Sequence, residues 1–544
     1  MRTFITSRDV EDCLVRGSRE MKLDPDAVVT AEAEERAARL GVKLIRLPTP
    51  GERDIPAGEL SPAGRDVSSP PPGGTPDRIA PRPLPLPPGG GTVRVTPRLD
   101  LLVRGGNVVV PGTGICQTDV WVKDGKVVGL ASGGPEDAAT VVPAEGCYVL
   151  PGIVDPHVHL GLFAPLEEEL ETESRSALLG GVTTVGCFFG GKSSYLPFLP
   201  ELEGLVAAHS GVDLFPHLVI GTREQLEDLP RYVEWGITSF KLYMCGIPGL
   251  IPEVDDGFIL AVLRRCAGLP RSCLVCVHAE NAALVDWATE EVRAGTADPD
   301  LREWALTHPD LAEAEAIRRV CFLAREAGVP IYIVHVTSAR GLQAVRDARS
   351  EGVTVYAEVA SPYLVATWDS DRGTAAKMVP PFRGPEDQEA LWAGLEDGTV
   401  TTLGTDNVTM TGAAKRLGES MWEVLPGYPA LGTHLGTVLA EAVNRRGMSV
   451  LRVAELMCRA PAQVFGLYPR KGTILPGSDA DLVLVDLGRK RPVRAGELGS
   501  RADFSIFEGR EVKGWPCTVV KDGELVVQNG VLTGSPPRGR LLKR

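Results

Sequence analysis

Between residues 151 and 469, short apolar runs alternate with longer amphipathic stretches. Runs able to form strands begin near Ile153, Val182, Val212, Ile237, Cys273, Pro330, Val353 and Val400. Most are separated by stretches with helical periodicity, such as residues 310–328 and 387–397. Eight strand candidates alternating with helices is the pattern of an α/β fold, the (β/α)8 barrel, in which chemistry sits at the C-terminal ends of the strands. On either side the period changes to two. Leu101-Leu-Val-Arg-Gly-Gly-Asn-Val-Val-Val and Val120-Trp-Val-Lys-Asp-Gly-Lys-Val-Val-Gly-Leu precede the barrel, and Ala480-Asp-Leu-Val-Leu-Val-Asp and Val519-Val-Lys-Asp-Gly-Glu-Leu-Val-Val-Gln-Asn-Gly follow it. These read as strands joined by turns, and the two flanks, residues 98–150 and 470–534, are predicted to build one small β-sandwich.

The first 47 residues read as a small α/β unit. Thr6 and Asp9 have the spacing of an N-cap and its partner, Thr30 can cap an Ala/Glu-rich helix that Gly41 ends, and Val42 opens a strand. Residues 48–97 then turn to Pro, Gly and Ser, with too few large apolar side chains to offset the entropy of ordering, so they are predicted to be a flexible linker. The basic ending, residues 535–544, reads as a solvated tail.

Composition narrows the function. A chain of 544 residues, 43% of them hydrophobic, is expected to hold one large domain and smaller ones. The formal charge of -14, without a basic stripe, argues against nucleic acid as a partner. No apolar stretch approaches the roughly 20 residues of a membrane span and the N-terminus lacks a signal-peptide core, so no membrane partner and a cytoplasmic location are expected. Eleven scattered cysteines do not form a disulfide framework. Cys273 and Cys276 form a C-x-x-C inside an apolar run, where alternation sends them to opposite faces, as core packing would have it.

The chemistry lies at the predicted strand ends. The first strand ends in His157 and His159, one residue apart and therefore on one face, where two neutral nitrogens suit a borderline metal such as Zn²⁺. Alone, such a pair is also compatible with core or surface histidines that happen to alternate. The fourth strand holds Lys241 in an otherwise apolar run, which is expensive for a free ammonium. The fifth ends at His278, the sixth at His335 and the eighth at Asp406. Of only eight histidines in the chain, four fall at predicted strand ends, and this joint pattern points to a metal centre.

The motifs that carry these residues resemble the amidohydrolase superfamily, in its cyclic amidase branch of dihydropyrimidinases, hydantoinases and allantoinases. They are Asp155-Pro-His-Val-His, Ser239-Phe-Lys, Val277-His-Ala-Glu-Asn, Tyr332-Ile-Val-His-Val-Thr-Ser, Glu389-Ala-Leu-Trp, Gly404-Thr-Asp and the run from Phe465-Gly-Leu-Tyr-Pro-Arg-Lys-Gly to Asp481-Leu-Val. The resemblance implies a homo-oligomeric enzyme, a dimer or tetramer, with two divalent ions, Zn²⁺ by preference. It implies that His157, His159 and Asp406 hold one ion and His278 and His335 the other, with Lys241, carboxylated by CO₂, bridging them. A hydroxide shared by the ions would then attack a cyclic amide of dihydropyrimidine, hydantoin or allantoin type and open it to an N-carbamoyl or ureido acid, with Asp406 moving the proton.

The chain departs from the family around the substrate. The tyrosine usual five residues after the bridging lysine is replaced by Gly246, so Tyr243, on the same strand face as Lys241, becomes the candidate oxyanion donor. The serine usual before Pro-Pro-x-Arg is Val379, the histidine usual after the strand-eight aspartate is Asn407, and the substrate loop corresponds to Pro426-Gly-Tyr-Pro-Ala430. Cys245, Gly246, Val379 and Asn407 are the expected substrate contacts. Met244-Cys-Gly-Ile-Pro-Gly-Leu resembles allantoinases more than hydantoinases, and Gly161 stands where dihydroorotases carry arginine. The first segment resembles the short segments that precede some bacterial microcompartment enzymes, which implies a shell or cargo partner; a packing appendage accounts for it equally. A silent scaffold remains the alternative to an enzyme, although scaffold relatives lose ligands and this chain keeps all six.

Overall fold

The computed structural model describes residues 98–133, 138–247, 251–534 and 536–544, with short stretches of the first 46. The chain divides into two units, residues 1–79 and 80–544. In the first, Phe4–Ile5 pairs in parallel with Val28–Val29 and Glu20–Leu23 with Lys43–Arg46, while Leu23, Ala37 and Val42 are buried. The caps expected at Thr6 and Thr30 and the linker at 48–97 lie outside the described residues.

The second unit contains the barrel. Its strands are β1 (Ile153–His159), β2 (Val182–Phe189), β3 (Asp213–Val219), β4 (Ser239–Tyr243), β5 (Leu274–His278), β6 (Ile331–Ile333), β7 (Val355–Ala360) and β8 (Thr402–Gly404). All neighbours pair in parallel. Strands covered on both faces read as continuous apolar runs, and β2, β3, β4 and β5 are buried along their whole length. The sheet closes through a break. After β8 the chain kinks at Thr405 and Asp406, and Asn407–Val408 pairs with Val158 and His159 of β1.

Three of the helices between the strands begin where a polar side chain caps them. Asp255 accepts from the Phe258 N–H ahead of Asp256–Ala267, Asn281 from Leu284 ahead of Ala282–Gly295, and Ser338 from Gly341 ahead of Ala339–Ser350. The barrel interior is packed by Val154, Phe188, Phe215, Cys276, Tyr332 and Phe465, so it is a filled core. Cys273 packs in the surrounding core instead, and the C-x-x-C pair splits between two faces as alternation requires. Among the described residues no helix is long and apolar enough to cross a membrane.

Both flanks join one nine-stranded sheet. Leu482–Val485 runs antiparallel to Tyr148–Pro151 on one side and to Pro516–Lys521 on the other, around a core that includes Val108, Val122, Val149, Leu482 and Val520. The two flanks, distant in sequence, thus meet as expected, in a single sheet and not as two separate facing ones.

The final residues are not a solvated tail. Gly539 and Leu542 donate to the carbonyls of Ser210 and Leu214, Arg540 O accepts from Leu214 N–H, and Arg544 N–H donates to Gly236 O. The Arg540 guanidinium bonds to Asp213, Asp479 and Asp522. Lys471 and Lys521 reach the same Asp213 carboxylate at 2.5 and 3.2 Å. The arm lies along the start of β3, at the barrel end opposite the histidines, because buried carboxylates there require cations.

Candidate metal centre

The register of β1 shifts between Asp155 and Val158, and the Asp155 carboxylate ties that irregularity to the break in β8. It accepts from the N–H groups of His157 and Thr405, both at 3.1 Å, and from the Thr405 hydroxyl at 2.6 Å. Asp406 N–H donates to His157 O at 3.0 Å. This clamp sets Asp406 against the two histidines: its Oδ1 lies 3.1 Å from His157 Nε2 and 3.3 Å from His159 Nε2.

A second pair stands beside the first. His278 Nδ1 and His335 Nε2 are 2.9 Å apart, and the His335 ring stacks on that of His157 at 5.5 Å. Lys241 Nζ lies 4.7 Å from the centre of the Phe188 ring, which abuts both His157 and His159, and 5.0 Å from that of Tyr243, which stacks on His278. Its amine therefore sits between the two pairs. Among the described residues no carboxylate lies within ion-pair distance of it. Burial presses its pKa down to about 8, with Asp406 opposing.

Two of the proposed ligands are held in a backbone conformation that non-glycine residues avoid, His335 at φ 38° and Asp406 at φ 54°. Such strain costs on the order of 1–3 kcal/mol and persists where surrounding contacts over-determine it. Here Glu358 and the Asp155 clamp supply them: His335 N–H donates to Glu358 Oε1 at 3.3 Å.

Glu358 and Glu280 orient the ligand rings, and sequence reasoning missed both. Glu358 Oε1 accepts from His157 Nδ1 at 2.7 Å, while its Oε2 accepts from the Tyr332 hydroxyl. Glu280 Oε2 pairs with His278 Nε2 at 2.9 Å and its Oε1 with His308 Nδ1 at 3.0 Å. Carboxylates behind the far ring nitrogens fix the tautomers of metal-binding histidines. The available signal was an acid inside the apolar run Val355-Tyr-Ala-Glu-Val-Ala, as costly as the lysine that did attract notice.

The donor set fits divalent cations. With its Nδ1 hydrogen given to Glu358, His157 Nε2 presents a lone pair, and this buried atom has no hydrogen-bond partner although a carboxylate oxygen faces it. Two lone pairs at 3.1 Å repel unless a cation or proton lies between them. Burial opposes charge on His157, but Glu358 and Asp406 outweigh it and hold its pKa near 9; that negative field equally favours a metal ion. Burial lowers His159, His278 and His335, leaving neutral nitrogens. Asp406 stays ionised: burial works against it, but His157, His159 and His335 hold its pKa well below the usual range. His157, His159 and Asp406 form a compact group that could hold one ion.

The centre lies at the base of a cavity of about 270 Å³. Its walls are mostly apolar, with Leu162, Phe163, Ile247, Ile251, Val254 and Met378. Tyr243 lines it, as does Val379, and so do Pro426 and Gly427 of the anticipated substrate loop. Cys245, Gly246 and Asn407 do not. Cys245 packs against Val285 and Ala312. A Cβ on Gly246 would meet Glu253 Oε2 at 2.6 Å and Ile251 O at 2.7 Å, so the Ile247–Ile251 backbone pair occupies the space a tyrosine would need. Asn407 is fully buried and braces the loop, its Oδ1 accepting from the N–H groups of Ala430 and Leu431.

Comparison with known proteins agrees with this geometry. The model of the Amidohydrolase family matches residues 272–526. The D-hydantoinase of Geobacillus stearothermophilus is 32% identical over 459 residues, covering 81% of this chain and 96% of that protein. The L-hydantoinase of Paenarthrobacter aurescens is 31% identical over 456 residues, covering 82% and 98%. The crystal structure of dihydropyrimidinase from Brevibacillus agri superposes with a TM-score of 0.76 at 30% identity, over 81% of this chain and 98% of that one. On this similarity the chain belongs to the amidohydrolase family, in the branch of the hydantoinases and dihydropyrimidinases.

Proposed function

We propose that this chain is a metal-dependent cyclic amidohydrolase that opens hydantoins or dihydropyrimidines bearing an apolar ring substituent, yielding N-carbamoyl amino acids. The observation that carries this reading is the paired donor set at the base of a cavity with apolar walls. Allantoin, which the sequence around Lys241 favoured, carries a polar ureido arm. Against Leu162, Phe163, Ile247 and Ile251 that arm would lose its hydrogen bonds to water without replacement.

His157, His159 and Asp406 would hold one divalent ion and His278 and His335 a second, with Lys241 between them as a carbamate. Zn²⁺ suits nitrogen and oxygen donors without thiolate. When bound, such ions acidify water and polarise a carbonyl. A lysine with its pKa near 8 keeps roughly a tenth of its amine neutral at pH 7, and the neutral amine is the form that adds to CO₂. With Oδ1 turned to His157 and His159, the other carboxylate oxygen of Asp406 would take the proton of the attacking water and deliver it to the departing ring nitrogen. The Tyr243 phenol, which lines the cavity, would donate to the carbonyl oxygen as charge develops there. The walls orient the ring substituent and keep bulk water away.

The test is a screen of zinc-reconstituted protein against dihydrouracil, both enantiomers of 5-benzylhydantoin, and allantoin, with ring opening followed by chromatography. Turnover of the benzylhydantoin above allantoin supports the reading, and turnover of none of the four defeats it. We also read the chain as a homo-oligomer, supported by the exposure of Trp287, Leu306, Leu311 and Phe322 on successive helices; light scattering checks this.

A further inference from the structure

Two separate stretches of chain contribute to the cavity wall, Met378 with Val379 and Pro426 with Gly427. A lysine joins them from behind. Lys415 ends the short helix Gly412–Lys415 and is fully buried. Its Nζ donates to the carbonyl oxygens of Lys377 at 3.1 Å, Leu425 at 2.9 Å and Gly427 at 2.5 Å. Among the described residues no carboxylate lies within ion-pair distance, so the hydrogen-bond partners of this amine are backbone carbonyls, with the Phe504 ring centre 6.0 Å away.

The count of hydrogens identifies its state. An ammonium has three N–H donors and meets three acceptors, whereas a neutral amine has two donors and would turn a lone pair towards an oxygen. Burial, assisted by the charge of Lys377, presses the Lys415 pKa well down, so the carbonyls must stay in place for the charge to be retained. The backbone continues the same brace. Gly427 N–H donates to Lys377 O, and Leu425 N–H donates to Lys415 O, both at 3.0 Å. On the far side of the loop Asn407, next to Asp406 in the chain, holds Ala430 and Leu431.

We propose that Lys415 is a positioning residue for the substrate wall: its ammonium is a three-way cross-brace that holds segment 425–427 against segment 377–379 and thereby sets the width of the cavity. The kinetic consequence rests on the cyclic-amide reading; the brace itself does not. Packing alone is not what the lysine supplies, since a methionine would fill nearly the same volume without binding a carbonyl.

The experiment compares Lys415→Met and Lys415→Ala with the wild type, all full-length and loaded with zinc. Both variants are expected to fold with wild-type metal content and to exchange amide hydrogens about tenfold faster at 377–379 and 425–427. KM for the hydrolysed cyclic amide should rise about tenfold or more, with kcat changed by less than about threefold. Ethylammonium, which replaces the deleted cation in Lys415→Ala, should restore both properties, and tetramethylammonium at equal ionic strength, having no N–H, should not. Unchanged exchange at both segments in Lys415→Met would overturn the proposal. So would faster exchange spread evenly over the barrel and untouched by ethylammonium, because the lysine would then be a general stabiliser. If the wild type opens no cyclic amide, the kinetic comparison falls with the proposed activity, while the exchange and rescue results still decide the brace.

Discussion

His157 Nε2 and Asp406 Oδ1 face each other at 3.1 Å, and no hydrogen bond joins them. The clamp from Asp155 holds this contact in place, so the two atoms need a proton or a metal ion between them. Protein grown with zinc is expected to carry two divalent ions per subunit by elemental analysis. Asp406→Asn should lose one of them and about a thousandfold in kcat, as loss of a general base commonly costs. Metal-free wild type after zinc supplementation would refute the centre.

Lys241→Ala should abolish turnover, since it removes the group between the two donor pairs. Short carboxylic acids such as propionate should restore part of the activity by supplying the missing oxygen ligand. Density on the Lys241 amine at high resolution, or its absence, checks the carbamate directly.

Tyr243→Phe removes only the phenolic oxygen while leaving the stack on His278. It is expected to lower kcat by about one to two orders of magnitude with metal content unchanged. An unaltered kcat would take Tyr243 out of the reaction and leave the carbonyl oxygen to the metal or to a backbone N–H.

The cluster at the opposite end of the barrel makes stability depend on acid. Burial disfavours the Asp213 carboxylate, but Lys471, Lys521 and Arg540 hold its pKa well below the ordinary value. A depressed folded pKa contributes stability that is fully present above the unfolded value of about 4 and is lost as pH falls towards the folded one. Asp213→Asn should therefore cost about 3–5 kcal/mol at pH 7, and the gap from wild type should narrow steadily below about pH 4. Denaturant titrations at pH 7, 4 and 3 measure it.

Residues 1–97 contain none of the proposed ligands. A chain starting near Thr96 is expected to fold, bind metal and turn over like the full protein. Insolubility of that shortened chain would place the first segment in the folding unit of the barrel.

The positions of the strand-end histidines and of Lys241 were legible because alternation and an apolar background make a histidine or lysine conspicuous. His157, His159, Lys241, His278, His335 and Asp406 all stand where that logic put them. Contacts that depend on distant chain were not legible. Arg540 meets Asp213 across 327 residues, so its neighbours in sequence read as a solvated tail. Asn407 and Gly246 were assigned to substrate by analogy with relatives, yet their surroundings are set by loops whose path no local pattern reveals. Glu358 escaped because an acid in a strand was given less weight than a base.

The closure of the barrel at Asn407–Val408 also orders events in time. His278 and His335 can meet once residue 335 has left the ribosome, but His157 waits for Asp406, roughly 250 residues after it in the chain. At about 5–20 residues per second that delay is some tens of seconds, during which a newborn chain holds His157 and His159 without the carboxylate that faces them. The His157, His159 and Asp406 group is thereby completed only with the barrel, and a truncated translation product ending before Asp406 lacks it.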